Sequence, residues 1–303
     1  MKHLLIAPPL LFFFAISVIP LLFTLGLSVT NTSIGGSGSF IGLNNYAQLF
    51  SDQFFLRGFL NTILYVVLGV TAQYWLGLGL ALLVNSMVHG KRLIRLLILL
   101  PMMIPPLIVG FVWQTLLDSR YGPVAGLFTG LHLKPVPWLT DPTLGFVSIV
   151  IVDTWQWTPF MFLLLFTGLR TLPKEPFEAA RVDGASSWRI FWDHTFPMLL
   201  PASIAAILLR SIESFKLFDI VFFITGGGPG GATNTLTLLG YFTSLRSGNL
   251  GYGAAMSIIL LLTVVVLATL ILIVVRRLMA RADKAGQQAL DQFLAEPLPV
   301  KVA

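Results

Sequence analysis

The chain has no cysteine among its 303 residues, which excludes disulfides and thiolate chemistry but carries no information on compartment. Charge is scarce as well. Only 11% of residues are Asp, Glu, Lys or Arg and 56% are hydrophobic, whereas soluble domains carry roughly a quarter of their residues as charged ones. An ordinary globular protein is excluded, and a membrane is the solvent that fits. The four histidines, His3, His89, His132 and His194, fall in four different segments, so spacing draws no metal site. No Gly-x-Ser-x-Gly elbow is present. Nucleotide-binding loops are missing too: Gly90-Lys91-Arg92 has Arg where Ser or Thr is required and Asn85 where the first Gly belongs. Gly226 to Gly231 spells G-x-G-x-x-G, but with no strand before it and no acidic residue about 20 positions on, the dinucleotide reading fails.

What is present is a set of six apolar stretches of about 20 residues, the length a bilayer demands of a helix. They are Leu4 to Val29, Thr62 to Val84, Leu93 to Leu117, Gly145 to Leu169, Leu199 to about Thr225, and Ala254 to Val275. The first follows Met1-Lys2-His3 in the manner of a signal peptide, yet its run is too long and lacks a clear cleavage site, so it reads as a retained helix. Thirteen of the nineteen Lys and Arg residues fall on one side of these spans: Lys2, Lys91, Arg92, Arg95, Arg170, Lys174, Arg181, Arg189, Arg276, Arg277, Arg281, Lys284 and Lys301. By the positive-inside rule both termini, the second loop and the fourth loop are cytoplasmic. The net charge of +6 therefore reports loop topology and not nucleic-acid binding.

Between spans, Gly35 to Ser39 reads as a flexible outer stretch, followed by "FIGLNNYAQLF", Phe40 to Phe50, lying along the outer surface. No solenoid repeat or inverted half is visible. Pro101, Pro105, Pro106, Pro159 and Pro201 bend three spans, either around a path or as simple packing kinks. The tail from Ala280 is polar and weakly patterned, and reads as an extension of low structural content.

Ionisable groups within spans are costly and mark functional surfaces. Arg210, Glu213, Lys216 and Asp219 recur at steps of three with alternating sign, so each neighbouring pair meets on the helix. The row reads either as self-neutralising packing or, more sharply, as a polar wall for a hydroxyl-rich solute. In the fourth span, "DTWQWTPF" offers Trp155, Trp157 and Phe160 as stacking faces for sugar rings, with Asp153 and Gln156 as hydrogen-bonding groups. Such aromatics also serve as interfacial belts.

One polar segment interrupts this pattern: "EAARVDGASSWRIFWDHTFP", Glu178 to Pro197, between the fourth and fifth spans. Pro173 and Pro176 precede a short helix holding Glu178, Val182 to Gly184 makes a turn, and Ser186 or Ser187 is the N-cap candidate of a second helix. Two short helices at an angle make a knob suited to a groove in another protein. An ordinary amphipathic surface pair fits the spacing equally.

This segment resembles the cytoplasmic signature of ABC importer permeases: Glu178-Ala179-Ala180, Gly184 and Pro197 are in register, while His194-Thr195-Phe196 departs from the usual ending. "FIGLNNY", Asn61-Thr62, "LPMMIPP", "DTWQWTPFMF" and "FDIVFFITGGGPGGATNTL" follow in the order of the carbohydrate branch, the maltose and glycerol phosphate importers. The resemblance implies an all-α membrane protein of six transmembrane helices with the type I ABC importer permease fold. It divides the chain into a first helix and outer loop (1–56), a transmembrane domain (57–278) with coupling helices at about 174–197, and a cytosolic tail (279–303). It implies a sugar, polyol or sugar-derivative importer in a bacterial inner membrane, without catalytic or metal-binding residues of its own. The implied partners are a second permease, a dimer of ATPase subunits that binds ATP and Mg, and an extracytoplasmic solute-binding protein, with no nucleic acid. Glu178, Ala179, Ala180, Asp183 and Gly184 would couple to the ATPase. Alignment with the family puts Trp157, Phe160, Ser214, Leu217 and Phe218 at lining positions, and the "GGGPGG" loop is expected to be a flexible mouth facing the binding protein. Two rivals stand: an ion-coupled secondary transporter using the charged row as its relay, and a membrane-embedded enzyme.

Overall fold

The computed structural model describes residues 2–295. Among these, the regular structure is helical: α1 (Lys2–Ser28), α2 (Asn44–Leu49), α3 (Gln53–Ser86), α4 (Lys91–Met103), α5 (Pro106–Leu117), α6 (Pro123–Gly130), α7 (Pro142–Thr171), α8 (Glu175–Val182), α9 (Ser187–Ile190), α10 (Phe196–Ser214), α11 (Asp219–Ile224), α12 (Leu236–Tyr241) and α13 (Leu250–Ala295). Only isolated bridges, Thr30 with Phe40 and Ser33 with Asn249, have β geometry among the described residues. Two compact units divide within α13, between Leu262 and Thr263.

Among the described residues, five helical segments are long and apolar enough to cross a membrane: Leu11–Ser28, Gln53–Ser86, Pro142–Thr171, Ser187–Ser214 and Leu250–Ile273. The expected third span is not one straight helix. It is α4 and α5, bent by 90°. Ile104 before Pro105 is extended, at φ −84° and ψ 130°, because a residue preceding proline is driven from helical geometry. The fifth span also differs from expectation. It begins at Ser187 inside the polar segment and ends at Ser214, ahead of Thr225. A π turn over Phe191–Thr195 joins α9 to α10; Pro197 has no N–H to give the carbonyl four residues back, and Phe196 N–H instead reaches Phe191 O. At the far end α13 continues to Ala295, through the stretch expected to be weakly structured.

Two of the long helices, α3 and α7, start where acidic side chains cap them. Asp52 accepts from Phe54 N–H at 2.8 Å and opens α3; Asp141 accepts from Thr143 and Leu144 N–H, both at 2.9 Å, before Pro142 at the first position of α7. Helices in a bilayer gain little from hydrophobic burial against each other and depend on close packing. Accordingly α3 meets α7 at Gly77, where a Cβ would stand 2.7 Å from Met161 Cβ. One core gathers Tyr65, Val109, Ile149, Val152, Ile220 and Ile224, from α3, α5, α7 and α11. The second gathers Leu49, Phe55, Leu236, Tyr252 and Met256. The "NNY" stretch has a local purpose: Asn45, buried, donates to Ser28 O and Thr30 O at 2.8 Å each, satisfying carbonyls at the end of α1.

Candidate functional site

The polar segment ends α8 with a complete left-handed stop. Gly184 sits at φ 76°, its N–H donates to Arg181 O at 3.1 Å, and Ala185 N–H donates to Ala180 O at 2.9 Å. These are the two bonds of a Schellman turn, and a Cβ at that φ is disfavoured. Ser186 then caps α9, accepting from Arg189 N–H at 3.3 Å. Glu178, Ala179, Asp183 and Gly184 are exposed, as are Val182 and Trp188. Ala180 is not. At 7% exposure it packs inside the subunit, so it supports the turn from within and does not belong to the presented surface.

Of the charged row expected on the fifth span, only the Glu213–Lys216 step forms. Arg210 and Asp153, 2% and 4% exposed, find each other across helices: Arg210 Nη2 donates to Asp153 Oδ2 at 2.7 Å and to Oδ1 at 2.9 Å. Arg210 Nε donates to Gln73 Oε1 at 2.7 Å, and Gln73 Nε2 donates to Asp153 Oδ2 at 2.8 Å. Three side chains from α3, α7 and α10 close a ring. Gln73 was not anticipated from the sequence, although a lone amide within an apolar span is itself a signal of an interior partner. Glu213 and Lys216 pair separately at 2.7 Å and are exposed, while Asp219 opens α11 beyond the break. A continuous relay along one helix, as the secondary-transporter reading requires, is therefore missing.

The "DTWQWTPF" surface divides in the same way. Gln156 is fully buried and its Nε2 donates to Ile104 O at 2.9 Å. That carbonyl is stranded by the α4–α5 break, so Gln156 Nε2 seals a backbone defect, while its buried Oε1 has no partner among the described residues. Trp155 turns toward α5, its ring 5.6 Å from that of Trp113. Trp157 faces the other way, under the Arg210 guanidinium at 4.9 Å and edge-on to Phe160 at 6.3 Å. The three aromatics thus share no single stacking face, because successive odd positions of a helix lie about 200° apart.

Residues 73–284 match the family described as binding-protein-dependent transport system inner membrane components. The chain belongs to this family. It is 35% identical over 258 residues to the trehalose/maltose transport system permease protein MalF of Thermococcus litoralis, covering 85% of this chain and 87% of that one. It is 34% identical over 260 residues to the sulfoquinovosyl glycerol transport system permease protein SmoG of Agrobacterium fabrum, covering 85% and 84%. A bacterial alginate ABC transporter crystallised with an oligosaccharide-bound periplasmic protein contains a chain of the same fold, with TM-score 0.81 at 18% identity over 91% of this chain and 94% of that one. The type I permease fold expected from the sequence is thus observed.

In this ABC permease the remaining expected path residues lie at the end of α10. Phe215 O, at the C-cap of α10, and Leu217 O, just beyond it, accept from Thr237 Oγ1 at 3.1 Å and Thr235 Oγ1 at 2.9 Å. Ser214 is buried, and its Oγ has no partner among the described residues. Leu217 and Phe218 pack against the first core, Phe218 stacked on Phe222 at 5.4 Å. Arg210 is level with Gln73, and Leu217 is linked through Thr235 and its neighbour Leu236 to Thr62, whose Oγ1 accepts from Leu236 N–H at 2.8 Å. Glu213 and Lys216 therefore stand between those heights, about the middle of the 34-residue α3.

The permease's "GGGPGG" loop is not a flexible mouth. Thr225 Oγ1 and Thr233 Oγ1 bond at 2.7 Å, Thr233 Oγ1 donates to Gly228 O at 2.9 Å, and Thr233 N–H reaches Gly227 O at 3.2 Å. Asn61 Nδ2 on α3 donates to Ala232 O at 2.8 Å and to Asn234 O at 3.0 Å. Asn61 and Thr62 are thus the seat onto which this loop is locked.

Proposed function

We propose that this permease is one of two transmembrane subunits of an ATP-driven importer for a sugar, polyol or sugar derivative. Similar permeases belong to trehalose/maltose and sulfoquinovosyl glycerol transport systems, which supports the carbohydrate class. The observation that carries the coupling assignment is the exposed Glu178-Ala179 edge ended by the left-handed turn at Gly184. It is the cytoplasmic contact to a separate ATPase dimer that holds ATP and Mg. The excess of cations at that end supports the cytoplasmic orientation of both termini. The solute-binding protein docks at the opposite end, where the locked loop lies.

Only 6% of the Leu11–Ser28 span is buried within the subunit, which leaves a face open to lipid or to a second permease. Glu213 and Lys216 argue for the same partner. An exposed ion pair at mid-span depth is costly in lipid, so it faces a watery path or the second subunit.

The coupling test uses exposed positions. Glu178→Lys and Ala179→Trp should abolish copurification of the ATPase and ATP-driven uptake, while insertion and pairing with the second permease persist. Wild-type copurification and uptake in both variants would remove the coupling role. Ala180→Trp makes a poor probe, since its bulk disrupts the permease's own packing.

The path assignment is tested with Glu213→Ala and Lys216→Ala. An exposed pair contributes about 1 kcal/mol or less to stability, so a loss of uptake in assembled complexes reports on the path. Uptake kinetics should fall several-fold with assembly intact. Unchanged affinity and maximal rate in both variants would sink the assignment, and failure to assemble would move the pair to the subunit interface.

A further inference from the structure

A cavity of about 590 Å³ lies between α4 and α7 at the end of the bundle that carries the coupling segment. Its walls grade from cationic to apolar in the same direction. On α4 the lining runs from Arg92 and Arg95 to Leu96 and Leu99; on the oppositely directed α7 it runs from Arg170 back to Phe166 and Leu163. None of the four ion pairs among the described residues includes Arg92, Arg95 or Arg170. Arg95 is held in place: its Nε donates to Lys91 O at 3.2 Å, and its guanidinium lies 5.4 Å from the buried Phe166 ring. The first turn of α4 is also uncapped by any side chain, with Gly90 at the N-cap, so its dipole adds to the positive field.

We propose that this cavity is a binding site for an anionic phospholipid. The phosphate meets the three guanidiniums, and an acyl chain lies on Leu96, Leu99 and Leu163. Charge complementarity selects the anion, since unpaired arginines at a helix end are geometrically suited to phosphate oxygens. The gradient selects an amphiphile over a free phosphate, because the apolar half of the cavity continues the cationic half toward the membrane interior. Basic pockets between transmembrane helices at this level are a general means of holding acidic headgroups. This inference does not depend on the transported solute.

The test is native mass spectrometry of the assembled transporter extracted from vesicles of phosphatidylcholine and phosphatidylglycerol. Wild type should retain phosphatidylglycerol selectively, and the Arg92→Gln/Arg95→Gln/Arg170→Gln variant should bind it on the order of 100-fold more weakly. Because removing three cations could disturb insertion, a second variant, Leu99→Trp/Leu163→Trp, fills the apolar half and leaves the charges in place. It should also lose the lipid, and excess inorganic phosphate should not displace lipid from wild type. Wild-type retention by the filled variant would reduce the arginines to a diffuse field and overturn the proposal. Displacement by phosphate would overturn it in favour of a free-anion site.

Discussion

Arg210→Met should destabilise the subunit by about 3–5 kcal/mol, the cost of leaving one partner of a buried ion pair behind. Asp153, 4% exposed, would keep only the Gln73 amide as a donor from the ring. The double variant Arg210→Met/Asp153→Leu should recover most of that loss, since replacing both ions removes their desolvation as well as their attraction. Its residual defect should sit at Gln73, whose Oε1 loses Arg210 and whose Nε2 loses the carboxylate. Half-life of the monodisperse complex in detergent at fixed temperature is the measurement, because such assemblies unfold irreversibly. The ring joins α3, α7 and α10, so the single variant should also lose uptake. If Arg210→Met is as long-lived as wild type, or the double variant is worse than the single, the three-helix strut does not exist.

The spans were legible because their length and apolarity are local properties. So was the two-helix polar segment, where a glycine, a serine cap and an acidic first turn act within a few residues of each other. What stayed hidden depends on partners distant in sequence. The four charges at steps of three read as one helical row, but α10 stops at Ser214. The hydroxyls of Thr237 and Thr235 satisfy carbonyls at and just past its end from about 20 residues further along. Arg210 pairs with Asp153, 57 residues earlier, and no periodicity carries that separation. Gln156 looked like a ligand-facing amide because the carbonyl it serves belongs to a break at Ile104, 52 residues before it. The prolines at 105 and 106 announced a bend; its 90° size, and the side chain that closes it, come from tertiary packing. Five glycines and a proline in six residues look like flexibility, yet Asn61 and two threonine hydroxyls fix that loop in place.

Gly227→Ala should therefore act as a folding defect and not as a subtle change of binding-protein docking. Gly227 is buried at φ 83°, and a Cβ there would overlap Asn234 Oδ1. The left-handed conformation alone costs an L-residue roughly 1–2 kcal/mol, and displacing Asn234 disturbs the strand of loop whose carbonyls accept from Asn61. About 3 kcal/mol or more is expected in total, with loss of assembled transporter and of basal ATPase activity together. Gly230→Ala supplies the comparison. It also has positive φ, 59°, but a Cβ there meets nothing within 4 Å, so only the conformational cost applies, roughly 1–2 kcal/mol. A pliant loop would treat the two substitutions alike, since both restrict one glycine. A loop locked to α3 distinguishes them, and Asn61→Leu should reproduce the Gly227→Ala defect from the other side of the same contact. Yield and detergent half-life of the three variants decide between these cases, and equal, mild effects in Gly227→Ala and Gly230→Ala would restore the flexible mouth.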